Sequence, residues 1–204
     1  MLFVLGDDIF FDMKKAIIIH GYNDKSEYLD ESRPSASNDH WYPWLQRQLS
    51  LRGIETQTPE MPGFYKPKYS EWKQTLEDLR PDENTFLIGH SCAGGFLVRW
   101  LSESDIKVGK VILVAPWINP FHEYEEDIES DFFNFEIDEK LVNKTDGVTL
   151  FISDKDEESV MRTVEVFKDK LKDMNVIELG GKGHFVISSM GTEEFPELLE
   201  EILS

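Results

Sequence analysis

The chain has 204 residues, of which 40% are hydrophobic and 12% aromatic, and its formal net charge at pH 7 is −19. This length predicts one domain with a substantial buried core, and the composition is typical of a globular protein. The negative charge argues against a surface for nucleic acid or anionic lipid, because phosphate groups would be repelled.

The single cysteine and the start of the chain bear on its location. Cys92 has no partner for an internal disulfide, which is typical of a reducing cytoplasm. No stretch of the sequence reaches the length of a membrane span. Residues 1–12 carry Asp7 and Asp8 and have neither a basic region nor a small-residue cleavage site, unlike a signal peptide. We expect them to be an N-terminal extension and residues 13–204 to form one domain.

Short apolar runs alternate along the chain with stretches of helical periodicity. Residues 16–19 form a continuous, mostly β-branched run, which is typical of a strand buried on both faces of a parallel sheet. Similar runs predict strands at residues 54–58, 86–88, 111–115, 148–152 and 176–179. Helices are predicted at residues 41–51, 71–79, 96–101, 157–172 and 193–203, and residues 22–40 are predicted to be a long polar loop. This alternation predicts an α/β fold with a doubly wound, mostly parallel sheet and helices on both faces.

A serine follows the third predicted strand within a turn of small residues. Gly89-His90-Ser91-Cys92-Ala93 lies between an apolar strand and a predicted helix, which is the context of the nucleophile elbow in α/β-hydrolases. The serine of such an elbow has a strained backbone, and neighbouring chain passes close to it. Gly89 and Ala93 suit the two flanking positions because both are small. The sequence therefore predicts an α/β-hydrolase fold with Ser91 as its nucleophile.

Acidic and imidazole side chains follow the last two predicted strands, at the sheet edge where ligands bind in such folds. Asp154 and Asp156 follow the fifth strand and His184 follows the sixth, so that with Ser91 they have the chain order of an α/β-hydrolase triad. A serine needs an imidazole to accept its proton, and the imidazole needs a carboxylate to hold its tautomer. Position alone leaves the choice between Asp154 and Asp156 open.

Two backbone N–H groups are expected to stabilise an oxyanion. In this fold one belongs to the residue after the nucleophile, here Cys92, and the other to the loop after the first strand, where Tyr22 is the candidate. Cys92 as the nucleophile itself is the alternative, which its place after the centre of the turn disfavours. Trp117, after the fourth strand, and Phe185, beside the predicted catalytic imidazole, are candidate residues of the substrate pocket.

The other histidines are expected to have structural roles. His20 ends a strand and His90 lies inside the elbow, so both are expected to pack or to hydrogen-bond, whereas His40 and His122 are expected to be ordinary loop residues. No pair of histidines or carboxylates has the spacing of metal ligands. We therefore predict no metal site.

Residues 118–147 separate the fourth and fifth predicted strands and are expected to form a small lid over the site. The segment is acidic, and five of its residues are aromatic: Phe121, Tyr124, Phe132, Phe133 and Phe135. Aromatic rings could line an acyl pocket. An amphipathic helix with a solvated acidic face is the alternative that the sequence leaves open.

The chain resembles the small serine hydrolases of the retinoblastoma-binding protein 9 and YdeN family over nearly its whole length from Lys15. The resemblance rests on His20-Gly21, Trp41-Tyr42-Pro43-Trp44-Leu45, Met61-Pro62, Trp72, Gly89-His90-Ser91 and Gly183-His184-Phe185. It implies a compact serine esterase without a large cap or a cofactor, and it aligns Asp156 with the catalytic acid. The family usually has a proline shortly after that aspartate, where this chain has Glu157-Glu158-Ser159.

These patterns together predict a cytoplasmic serine hydrolase that acts as a carboxylesterase on small acyl esters. Its triad would be Ser91, His184 and Asp156. Thioesterase or amidase activity, including peptidase action, is the alternative enzymatic function, because nothing in the sequence distinguishes the leaving groups of esters, thioesters and amides. The non-enzymatic alternative is a protein-binding module with this fold that no longer turns over a substrate. The expected partner is a small molecule, not nucleic acid or a membrane, and a protein partner is left open.

Overall fold

Within residues 13–118 and 132–204, which the computed structural model describes, six strands form one sheet. They are β1 (Lys15–Ile19), β2 (Glu55–Gln57), β3 (Thr85–His90), β4 (Val111–Val114), β5 (Val148–Ser153) and β6 (Asn175–Leu179). Every pairing is parallel, in the order β2-β1-β3-β4-β5-β6. The predicted doubly wound sheet is confirmed, and it is entirely parallel over these residues.

Helices connect the strands. Those of the described residues are α1 (Lys25–Tyr28), α2 (Tyr42–Ser50), α3 (Tyr69–Asp78), α4 (Cys92–Glu103), α5 (Glu158–Lys170), α6 (Ile187–Met190) and α7 (Pro196–Leu203). Two short 3-10 helices span Ala36–Asn38 and Leu141–Lys144. The predicted polar loop 22–40 therefore contains α1 and a 3-10 turn. Within the described parts of the chain, no helix combines the length and apolar character that crossing a membrane requires.

The burial of the strands explains why their sequences were recognisable. Every residue of β3, β4 and β5 is buried, because these central strands have helices on both faces. Each fully buried Leu, Ile or Val side chain contributes about 1.5–3 kcal/mol, so continuous apolar runs are favoured there. The edge strands β2 and β6 are largely exposed or half-buried and contain polar residues.

The direction of the chain reverses after β2, because it returns past β1 to form β3. Right-handed crossovers then place α2 on one face of the sheet and α3, α4 and α5 on the other. Ring contacts agree: Trp41 beside α2 lies 5.7 Å from Phe195 beside α7, and Trp72 of α3 lies 5.5 Å from Phe96 of α4. The carboxyl ends of β1 and β3 border this reversal, which is where ligands bind in such sheets.

Phe132 lies in the core of the α3–α4 face. Its side chain has no exposed surface, and its ring meets Trp72 edge-on at a centroid distance of 5.2 Å. Arg99 Nη1 donates to the Phe132 carbonyl oxygen at 2.9 Å. The expectation that Phe132 could line an acyl pocket is therefore wrong, because its surface is already covered by other buried rings.

Two predictions fall on residues outside the described ranges. They concern residues 1–12, the expected extension, and residues 119–131, which include Phe121, Tyr124 and His122. The role of residues 118–147 as a lid therefore stays a prediction.

Phe132→Ala should lower the free energy of unfolding by about 3–5 kcal/mol, because it leaves a cavity among fully buried rings. Phe133→Ala is the matched control, and it should lower that free energy clearly less because the Phe133 ring is half-buried. Urea denaturation followed by tryptophan fluorescence measures both values. Equal, small losses would contradict the placement of Phe132 in the core.

Candidate active site

Ser91 stands between β3 and α4 in a strained backbone conformation, with φ 56° and ψ −128°. A positive φ is costly for a residue with a side chain, and it persists where the surrounding packing determines it. The Ser91 N–H donates to the Val114 carbonyl at 2.9 Å, and the Ser91 carbonyl accepts from the Trp117 N–H at 3.0 Å. The turn thus holds the partly exposed serine at the carboxyl end of the sheet.

Glycines surround Ser91 because neighbouring segments leave no room for a side chain. A Cβ on Gly89 would lie 2.8 Å from the backbone of the first turn of α4, and a Cβ on Gly21 would lie 2.8 Å from Ser91 Cβ. On Gly95 of α4, it would lie 2.3 Å from the carbonyl oxygen of Trp117. These small residues allow the loop after β1, the elbow and the segment after β4 to meet at the serine.

Three side chains form a continuous hydrogen-bonded row. Ser91 Oγ lies 2.9 Å from His184 Nε2, and His184 Nδ1 lies 2.8 Å from Asp156 Oδ1. Because a carboxylate only accepts, the His184 Nδ1 carries a proton, and Nε2 accepts from the serine hydroxyl. The structure therefore brings together the residues that the sequence predicts as nucleophile, base and acid.

The two aspartates after β5 have different contacts. The Asp156 side chain is fully buried, and its Oδ1 also accepts a hydrogen bond from the Glu157 N–H at 2.8 Å. Asp154 is exposed, and its Oδ1 accepts from the Gly181 N–H at 2.6 Å. Asp156 thus contacts the imidazole, and Asp154 holds the loop that carries the imidazole. Asp156 makes this contact without the proline that usually follows the catalytic aspartate in the family.

The candidate oxyanion donors lie beside the serine. Cys92 is the first residue of α4, so its N–H has no acceptor within the helix. Tyr22 follows Gly21, which packs against Ser91. Burial raises the pKa of the Cys92 thiol well above its usual range, and the Tyr22 N–H offsets only part of this effect. The thiol therefore stays protonated, which disfavours Cys92 as a nucleophile.

The two candidate pocket residues have different environments. Trp117 is half-buried next to the serine, and its indole meets the Phe133 ring edge-on at 5.1 Å. Phe185 is fully buried and stacks on Phe195 at 5.3 Å. The expectation that Phe185 lines the pocket is wrong, because its ring belongs to the core and anchors the loop after β6.

The sequence predicted that His90 packs or hydrogen-bonds, which is confirmed, but not the cluster of rings that it forms beside the row. His90 Nδ1 lies 2.6 Å from Tyr42 Oη, and His90 Nε2 lies 2.7 Å from the His184 carbonyl oxygen. His40, expected to be an ordinary loop residue, is half-buried and packs edge-on against Tyr42 and His90 at 5.7 and 6.1 Å. The available signal was the position of His90 at the end of a buried strand, since buried polar groups need partners.

His20 connects the loop after β1 with the loop after β2. Its Nδ1 donates to the Gly21 carbonyl at 2.8 Å, and its Nε2 accepts from the Met61 N–H at 2.9 Å. Burial lowers the pKa of His20, so its neutral form is favoured, as these two bonds require. His20 therefore steadies the chain beside the candidate donor Tyr22.

Comparisons with known proteins agree with this geometry. A family model described as "Serine hydrolase" matches residues 16–203. The chain is 30% identical over 106 residues to the putative hydrolase YdeN of Bacillus subtilis (strain 168), and this match spans 50% of each chain, about half the length of that relative. The crystal structure of the B. subtilis ydeN gene product gives a TM-score of 0.77 at 23% identity, over 94% of this chain and 97% of that one. The structure of Est1E from Butyrivibrio proteoclasticus with bound ferulic acid gives a TM-score of 0.66 at 16% identity. This match covers 94% of this chain and 89% of that one. The predicted α/β-hydrolase fold and the resemblance to YdeN are confirmed.

Gly95→Ala should lower the free energy of unfolding by about 1–3 kcal/mol, because the new methyl group must displace the backbone at Trp117. In an unobstructed helix the same change raises stability by roughly 0.5–1 kcal/mol, so the sign of the effect is diagnostic. Urea denaturation of the two proteins measures it. A more stable variant would show that α4 and the segment after β4 are not in close contact.

Proposed function

Because the chain belongs to the serine hydrolase family, we propose that it is a carboxylesterase that cleaves small acyl esters through an acyl-enzyme intermediate. The hydrogen-bonded row of Ser91, His184 and Asp156 carries the proposal. Its distances of 2.9 and 2.8 Å lie within the range that proton transfer between positioned groups requires.

In the acylation step, Ser91 Oγ attacks the ester carbonyl carbon while His184 Nε2 accepts the hydroxyl proton. The Asp156 carboxylate stabilises the imidazolium that forms. The carbonyl oxygen becomes an oxyanion, to which the N–H groups of Cys92 and Tyr22 would donate. His184 then gives its proton to the departing alkoxide, which leaves as an alcohol, and the acyl group stays on the serine.

In the deacylation step, a water molecule attacks the acyl carbon and His184 accepts one of its protons. The tetrahedral intermediate collapses, the bond to Ser91 Oγ breaks, and the imidazole returns the proton to that oxygen. The product is a carboxylic acid, and the chemistry needs no cofactor.

The surroundings of the serine favour an uncharged, partly apolar acyl group. Trp117 and Phe133 form an aromatic wall whose first residue bonds the serine backbone. The net charge of −19 disfavours anionic substrates by repulsion. Since ferulic acid, bound in Est1E, is an aromatic acid, feruloyl esters belong in a substrate screen.

The proposed setting is the cytoplasm, with a small molecule as the partner of the site. The one cysteine of the sequence is a buried free thiol, as suits a reducing compartment. The acidic surface would repel both nucleic acid and anionic lipid.

Ser91→Ala should lower kcat for p-nitrophenyl butyrate by a factor on the order of 10⁴ or more and abolish fluorophosphonate labelling, because it removes the attacking oxygen. Ser50→Ala, at an exposed serine of α2, is the control and should behave as the wild type. Wild-type protein that is not labelled would favour the non-catalytic binding module. If a thioester or an aminoacyl amide had a higher kcat/KM than every ester tested, the assignment would change from carboxylesterase to thioesterase or amidase.

Asp156→Asn should lower kcat by a factor on the order of 10⁴, because the imidazole loses its tautomer and its counter-charge. The same Asp-to-Asn change in a serine-protease triad has an effect of this size. Asp154→Asn is the matched control and should keep most of kcat, since its amide oxygen still accepts from the Gly181 N–H. Steady-state kinetics on one ester compares the two. The reverse order would assign the acid to Asp154.

A further inference from the structure

Two consecutive carbonyl groups of the loop after β6 are held by side chains from elsewhere in the fold. His90 Nε2 lies 2.7 Å from the His184 carbonyl oxygen, and Trp41 Nε1 donates to the Phe185 carbonyl oxygen at 3.0 Å. Gly183 and Phe185 have φ values of 54° and 55°. A positive φ is costly for Phe185, which has a side chain, and it persists only where the surrounding structure determines the loop. The path of the loop that carries the base therefore depends on groups outside it.

His90 is in turn held by Tyr42. The Tyr42 hydroxyl oxygen lies 2.6 Å from His90 Nδ1, and both residues are only 2% exposed. Since a carbonyl oxygen only accepts, His90 Nε2 carries the proton, and His90 Nδ1 accepts from the tyrosine hydroxyl. Donation thus runs from Tyr42 to His90 and from His90 to the His184 carbonyl, and we call this arrangement the His90 bridge.

The bridge is neutral. Burial lowers the pKa of His90 well below its usual range, and the neighbouring His184 and His40 act in the same direction. Burial also raises the pKa of Tyr42 well above its usual range, so its hydroxyl stays protonated. Both ring nitrogens of His90 are engaged in this state. His90 is therefore suited to holding the loop and does not compete with His184 as a base.

We propose that His90 and Tyr42 are positioning residues that set the distance between the Ser91 hydroxyl and the His184 imidazole. His90 directly precedes Ser91, so one side chain links the nucleophile's turn to the backbone of the base. A shift of the loop would lengthen the 2.9 Å contact between Ser91 Oγ and His184 Nε2. A misplacement of about 1 Å can lower a rate by a factor on the order of 100. The kinetic part rests on the proposed function, whereas the geometric part can be measured in the resting protein.

His90→Gln and His90→Met form a matched pair for the test. The two side chains have nearly the same shape, but the glutamine amide can donate to the His184 carbonyl and methionine cannot. We expect His90→Gln to keep kcat within about threefold, and His90→Met to lower it roughly 100-fold with KM little changed. A role in packing alone predicts the opposite order, because an apolar side chain is better tolerated at a buried site.

Tyr42→Phe tests the other end of the bridge and removes a single oxygen atom. It should lower kcat roughly tenfold, because the buried His90 Nδ1 loses its donor and the tautomer is no longer held. Tyr69→Phe, at a buried tyrosine on the α3–α4 face, is the control and should leave kcat unchanged. If thermal unfolding shows that His90→Met does not fold, this second pair decides.

The low-field proton NMR signal of the hydrogen bond between His184 Nδ1 and Asp156 reports the geometry without any substrate. It should be sharp in the wild type and in His90→Gln, and broadened or shifted in His90→Met. If the wild type gives this signal but shows neither ester turnover nor fluorophosphonate labelling, the proposed function is refuted. The signals of the two variants then decide whether the His90 bridge positions the imidazole. Equal kcat values and equal signals in His90→Gln and His90→Met would overturn the positioning role of His90 and Tyr42.

Discussion

The structure depends on a close approach of backbone segments around Ser91. The loop after β1, the elbow and the segment after β4 meet there, and a Cβ on Gly21, Gly89 or Gly95 would lie at 2.8 Å or less from a neighbouring atom. This packing stabilises the positive φ of Ser91 and keeps the start of α4 beside the serine. Because backbone cannot yield as a flexible side chain can, residue size at these positions controls the location of Ser91.

The imidazole, in contrast, lies on a loop whose own sequence constrains it little. Glycine-rich chain loses much conformational entropy on folding, so other contacts must offset that cost. Asp154 bonds the N–H of Gly181 at the start of the loop, and His90 and Trp41 bond two carbonyl groups further along. The stacked ring of Phe185 adds an apolar anchor. The site is thus assembled from groups on several different elements.

Burial also decides which polar groups remain available for chemistry. The rings of His20 and His90 are buried, and burial lowers both pKa values, so the neutral imidazoles serve as hydrogen-bond links. Burial raises the pKa of the Cys92 thiol, which keeps this group next to Ser91 protonated. The His184 side chain stays 24% exposed and contacts a fully buried carboxylate. His20, His90 and Cys92 therefore keep a neutral charge around the triad residues.

The fold class and the serine of the elbow could be predicted from local sequence patterns alone. Strands buried on both faces require continuous apolar runs, and a tight turn requires small residues wherever it occurs, so both leave local patterns. Position along the chain left Asp154 and Asp156 open, and the resemblance alone favoured Asp156. The tertiary structure separates them by their contacts, because the two follow the same strand and their reach depends on the path of a loop. It also moved Phe132 and Phe185 from the expected pocket to the core. An apolar ring has the same sequence signature in either place, and the packing of distant segments decides whether solvent or other side chains cover it.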